Sequence, residues 1–107
     1  MAYTIPVVAL IIDPTSAANA LGLDPGYFED QDEYRREGVE DLAALTAAPV
    51  TAFSDEDGDC FYVGIELASD FYVEIDSTLL SRAVALKGKY PHPLIQAAKL
   101  AVVSRFC

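Results

Sequence analysis

Several residue types are scarce in this chain of 107 residues. It contains no tryptophan, one histidine, two cysteines and only seven Lys and Arg residues. Two cysteines allow a single pairing, which excludes a disulfide-rich scaffold. Seven bases without interleaved aromatic residues argue against direct nucleic-acid binding, because phosphates attract Lys and Arg and repel carboxylates.

Long apolar runs are also missing. The longest is "VVALII" at 7–12, well short of the roughly 18 residues that span a bilayer. The opening "MAYTIP" lacks the basic and apolar regions of a secretory signal. We therefore expect a soluble protein that does not bind membranes, in the cytoplasm of a host or producing cell or within an assembled particle. In that reducing setting Cys60 and Cys107 are expected to be thiols.

Motifs that fix a reaction are absent as well. The sequence contains no glycine-rich phosphate loop, dinucleotide fingerprint, zinc-ligand set or serine elbow. It therefore predicts neither a cofactor nor a metal site, and it favours a non-enzyme. A small enzyme, for example one with paired carboxylates across a cleft, is the third alternative.

Acidic residues are plentiful and unevenly distributed. The net charge is −10. Residues 1–81 hold all 17 Asp and Glu with two bases, a charge of −15, whereas residues 82–107 hold five bases and no acid, a charge of +5. Such segregation along a chain indicates an interaction surface.

The apolar periodicity predicts one α+β domain over 1–107. Alternation predicts a three-stranded antiparallel meander over about 49–76, and the apolar segment 3–12 is a candidate further strand, buried on both faces. Cap and stop signals predict three to four helices packed against this sheet. Their ranges are 14–21, 25–48 with Gly38 as a candidate break, 77–88 and 93–107.

The last of these helices is apolar on almost every side after Pro93 opens it. A helix of that kind is deeply buried or partly covered by another subunit. The pattern therefore predicts a candidate homo-oligomer contact through the 93–107 helix.

The acids at 55–59 have two interpretations. Positions 1, 3, 5 and 12 of an EF-hand loop would correspond to Asp55, Asp57, Asp59 and Glu66. However, the loop's required glycine is Cys60 here, and the following residues alternate like a strand that cannot fold back on an ion. Asp57-Gly58 is a strong hairpin-turn signal, so we interpret the cluster as a turn.

A nucleophilic Cys60 with His92 as its base is a further alternative. His92 lies between two prolines, where we expect it to cap the final helix. The carboxylates around Cys60 disfavour a thiolate. Both observations argue against this pair.

The remaining functional signal is an acidic surface with tyrosines on it. Carboxylates on a rigid surface can occupy the places that phosphates take in a basic groove, and tyrosine adds rigid contact area. We expect a non-enzymatic protein that binds a basic protein surface and, as a nucleic-acid mimic, inhibits or regulates a nucleic-acid-handling protein. The acids at 29–41, the 55–59 turn and the outward strand faces supply the predicted partner-binding residues: Glu29, Asp30, Asp32, Glu33, Asp55, Glu56, Asp57, Asp59, Tyr62, Glu66, Tyr72, Glu74 and Asp76.

The alternative is a structural subunit of a virus particle or of another homo-oligomeric assembly. The acidic part of one copy would then meet the basic part of the next, in a head-to-tail contact.

Overall fold

The computed structural model describes residues 4–29, 36–54, 61–69 and 77–106. Within these ranges the chain forms strands and helices in mixed order, which confirms the α+β class. In chain order they are β1 (Thr4–Ile11), α1 (Pro14–Ala20), a 3₁₀ helix (Tyr27–Glu29), α2 (Arg36–Thr46), β2 (Thr51–Ser54), β3 (Phe61–Ser69), α3 (Ser77–Lys89), α4 (Pro93–Gln96) and β4 (Lys99–Phe106).

The four strands form one antiparallel sheet that closes on itself in the order β1-β3-β2-β4. β1 pairs with β4 along its length and with β3 on its other side. β2 pairs with β3, and among the described residues it meets β4 where Ser54 lies opposite Ser104. The predicted N-terminal strand and the first two strands of the meander are confirmed. The third, predicted at 71–76, lies outside the described residues.

Two apolar clusters stabilise the two faces of this sheet. The larger one lies between the sheet and the helices, and it includes Leu10, Leu42 and Ile95, all at most 1% exposed. The smaller one lies on the opposite face, where Val7 and Phe53 are at most 2% exposed. Its described members are all strand residues, so closure of the sheet covers them. The expected burial of β1 on both faces is confirmed.

A glycine on β3 allows the sheet to bend at this closure. Gly64 lies opposite Ile11 of β1 and Thr51 of β2. A Cβ at Gly64 would overlap the backbone carbonyl of Leu10, so no other residue type fits without a shift. Glycine at such a position is typical of a tight bend where two backbones approach each other.

Local signals in the sequence account for α1. The side chain of Asp13 caps its N-terminus and Pro14 occupies the first helical position, both favourable there. At its C-terminus Gly22 adopts a φ of 71°, and the N–H of Leu23 donates a hydrogen bond to the carbonyl of Ala18 at 2.9 Å. This is a Schellman motif, which satisfies the last carbonyls of the helix.

The predicted helix over 25–48 begins differently from the prediction. The side chain of Asp24 accepts the N–H of Gly26 at 2.9 Å, and this turn leads into the 3₁₀ helix rather than an α-helix. Gly38 lies inside α2 and does not divide it. The rings of Tyr27 and Phe28 pack edge to face over Gly38, with centroids 4.9 Å apart, so a side chain there would displace them.

The predicted helix over 93–107 is wrong for most of its length. α4 ends at Gln96, and Lys99–Phe106 is β4, paired with β1. Periodicity alone does not separate an apolar strand from a buried helix in such a short segment. A homo-oligomer contact through a 93–107 helix is therefore not available.

Candidate interaction surfaces

The thirteen predicted partner-binding residues lie mostly outside the described part of the chain. The backbone of Glu29 closes the 3₁₀ helix. Side-chain positions are described for Tyr62 and Glu66 on β3. The others fall outside the described residues: Asp30, Asp32, Glu33, Asp55, Glu56, Asp57, Asp59, Tyr72, Glu74 and Asp76.

Tyr62 and Glu66 share one face of β3, as alternation predicted, but that face is not a free outer surface. Tyr62 lies opposite Phe53 of β2, and Glu66 lies opposite Ala9 of β1. Phe53 and Ala9 both belong to the smaller apolar cluster. Tyr62 is 37% exposed and Glu66 is half-buried, while Gly64 between them is buried. Because the sheet closes, the face predicted to point outward is partly covered.

A row of exposed carboxylates lies on α2. Glu37, Glu40 and Asp41 point to solvent, while Val39 and Leu42 anchor the helix in the larger cluster. These three acids were predicted to contribute only as part of the 29–41 run. The signal that could have singled them out is their spacing around the buried residues of an amphipathic helix.

One base, Arg36, partly neutralises the negative charge of this row. The Nε of Arg36 donates to Glu40 at 3.1 Å, with both side chains largely exposed. An exposed pair with four-residue spacing stabilises a helix by only about 0.3–0.5 kcal/mol. The described part of α2 therefore remains an acidic surface.

α3 has the opposite charge and an unusual apolar exposure. It carries three bases, Arg82, Lys87 and Lys89, and no acid. Lys87 is half-buried, and its Nζ donates to the carbonyl of Gln96 at 2.9 Å. On the solvent side Leu80 is 51% and Val84 is 72% exposed. Neighbouring exposed apolar side chains mark candidate contact surfaces.

A groove of about 540 Å³ opens between the end of β1 and the start of β4. Its walls are mainly apolar, and its charged groups are Asp13 and Lys99. The pKa of Asp13 lies below its usual 3.8 because the Ser16 hydroxyl and amide donate to it at 2.7 and 3.0 Å, with a smaller contribution from Lys99. A carboxylate held ionised in this way is poorly suited to proton transfer near neutral pH, so we assign Asp13 to capping.

His92 takes the predicted capping role. Its Nδ1 accepts the backbone N–H of Leu94 at 3.1 Å, ahead of Pro93 at the start of α4. Cys60, its proposed partner, lies outside the described residues.

The described ranges contain no group of three or more His, Cys, Asp or Glu residues arranged to hold a metal ion. The acid cluster at 55–59 lies outside them. Within the same ranges, no helix has the length and apolarity needed to cross a membrane.

Comparisons with protein-family models, curated proteins and solved structures found no match to this chain. Its function must therefore be argued from its own surfaces.

Proposed function

We propose that this protein binds a basic surface on another protein without catalysis, and thereby inhibits or regulates a nucleic-acid-handling protein. The observation that supports this proposal is the row of solvent-facing carboxylates on α2: Glu37, Glu40 and Asp41. On this proposal the protein acts in the cytoplasm or within an assembled particle, where such partners handle nucleic acid.

The packing beneath the row makes it suitable for recognition. Leu42 is fully buried and Val39 is 5% exposed, so α2 is held against the rest of the domain. Because the helix backbone is fixed, the row of carboxylates is already in place before a partner arrives, and complementary charge accelerates association. A net charge of −10 adds a long-range attraction to any basic partner.

The test is capture of proteins from a nuclease-treated lysate on the immobilised chain, followed by washing to remove the nuclease and then by elution with double-stranded DNA as a competitor. We expect the captured proteins to carry basic nucleic-acid-binding surfaces and to be released by the DNA. We also expect affinity to fall by about tenfold or more between about 0.05 and 0.5 M salt, because salt screens exposed charges. Capture that resists both DNA and salt would contradict the proposal.

A charge reversal on α2 tests whether partner binding depends on this surface. Asp41→Lys should slow association by about fivefold to tenfold while leaving the melting temperature nearly unchanged. The matched control is Asn19→Lys with Ala20→Lys at two exposed positions of α1, which changes the net charge equally but removes no carboxylate. We expect the same slowing of association for Asp57→Lys and Glu74→Lys, because both residues belong to the partner-binding set predicted from the sequence.

A second candidate function is a subunit of a homo-oligomeric assembly, such as a virus particle. The observation that favours it is the pair of exposed apolar side chains on α3, Leu80 and Val84. Size measurement of the purified chain tests it, since a monomer at all accessible concentrations would contradict an assembly role.

A further inference from the structure

We infer that α3 of one copy packs against α2 of a second copy, forming a two-fold dimer. This inference rests on the assembly role proposed above as the second candidate.

The exposed side of α3 consists of three parallel strips, because successive helix residues are rotated by about 100°. The middle strip holds small residues, which let another helix approach closely: Ser81, Ala85 and Gly88. One border is apolar and holds Leu80 and Val84, and the other is basic and holds Arg82 and Lys89.

The exposed side of α2 has the opposite net charge. Ala44 and Glu37 lie in its middle, Asp41 and Leu45 lie toward one border, and Glu40 lies toward the other beside its partner Arg36; Leu45 is 42% exposed. With three carboxylates and one base, this side of α2 is acidic, whereas α3 carries three bases and no acid. When the two helices pack with their middles together, the carboxylates come close to Arg82 and Lys89, and Leu45 adds apolar surface to the contact.

The fold allows this contact to form twice in one dimer. α2 packs against β2 and α3 packs against β3, and these two strands are neighbours in the sheet. In a two-fold pair each α2 can therefore face the α3 of the other copy. Two helix contacts bury more area than one, which matters because specific interfaces bury about 1,200–2,000 Å².

The test is sedimentation equilibrium of the full chain from micromolar to millimolar concentration, with variants at Val84. Val84→Glu removes apolar surface and brings a carboxylate toward acidic α2, so we expect the dimer Kd to rise by about tenfold or more. Val84→Lys removes the same apolar surface but adds a positive charge that the carboxylates of α2 attract, so it should raise Kd by about threefold at most. Val102→Glu, at a 54% exposed valine on β4, is the matched control and should leave Kd unchanged.

A charge exchange tests the pairing directly. Arg82→Glu with Lys89→Glu should weaken the dimer, and adding Glu37→Lys with Glu40→Lys should restore it. Melting temperatures of all variants show whether a change reflects unfolding. An oligomer that is indifferent to Val84→Glu, or one that the exchange does not restore, overturns this surface but leaves the assembly role. A chain that stays monomeric at millimolar concentration overturns both.

Discussion

At the scale of single residues, two positions show how a small group determines a larger arrangement. Gly64 permits β3 to approach β1 closely enough for the sheet to close. Asp13 joins the end of β1 to α1 through its bonds to Ser16. Each role can be tested by a substitution that changes one property of the side chain.

Gly64→Ala should destabilise the fold by about 3 kcal/mol, because the added methyl group meets the backbone carbonyl of Leu10 and the strands must separate. Urea unfolding measures the change. Gly88→Ala is the matched control: a Cβ there meets nothing within 4 Å. It lies in a helix, so it should stabilise by about 0.5–1 kcal/mol. Equal effects at the two sites would contradict the role assigned to Gly64.

Asp13→Ala should cost about 0.5–2 kcal/mol at neutral pH, whereas Asp13→Asn should retain most of the stability, because Asn also caps helices well. The folded-state pKa of Asp13 is lowered by its Ser16 hydrogen bonds. The ionised form therefore stabilises the fold above the unfolded pKa of 3.8. That contribution is lost as pH falls through the lower folded pKa. Urea unfolding at a series of pH values should show the difference from Asp13→Ala shrinking in acid, and a constant difference would contradict this account.

At the scale of elements, the sequence predicts most accurately where a local signal exists. Asp13 and Gly22 mark both ends of α1, and His92 was expected to cap the element that begins at Pro93. These signals depend on neighbouring backbone groups and need no knowledge of the rest of the chain. Segment 99–106 has no such signal, and its pairing with β1 decides between helix and strand.

The candidate site shows the same limit. Alternation correctly placed Tyr62 and Glu66 on one face of β3. It did not reveal that the sheet closes so that this face lies opposite Phe53, a member of the smaller apolar cluster. Closure depends on strand order, which is a long-range property. The carboxylates of α2 were within reach of sequence reasoning, since Val39 and Leu42 define its buried side.

The junction between α3 and α4 provides a prediction at this scale. Gln96 Nε2 donates to the carbonyls of Lys87 and Tyr90 at 2.6 and 3.3 Å, which holds the two helices together. Gln96→Ala should cost about 1 kcal/mol and speed hydrogen exchange at the amide of Tyr90, which donates to Leu86. Gln96→Lys, which keeps a donor, should have a smaller effect. Unchanged exchange at Tyr90 in Gln96→Ala would contradict this role.

At the scale of the whole molecule, the two proposals share one surface. A dimer that packs α3 against α2 would cover Glu37 and Glu40, the same carboxylates proposed to meet a basic partner. Self-association and partner binding would then compete. A partner that binds the monomer should therefore lower the dimer fraction as it is titrated.

The net charge of −10 predicts how the isolated domain responds to salt. Because like charges repel within the compact state, screening should raise its melting temperature as salt increases from about 0.01 to 0.3 M. Calorimetry on dilute samples measures this without dimer formation. Affinity for a basic partner should change in the opposite direction. A melting temperature that falls with added salt would show that attractive pairs outweigh the repulsion.

The closed strand order also determines how this protein would unfold and aggregate. In an open sheet the outer strands can recruit another chain and begin a fibre, and a ring of strands removes those sites. Here Ser54 of β2 lies opposite Ser104 of β4 where the ring closes. A disulfide linking positions 54 and 104 should therefore keep the ring closed on heating and delay aggregation.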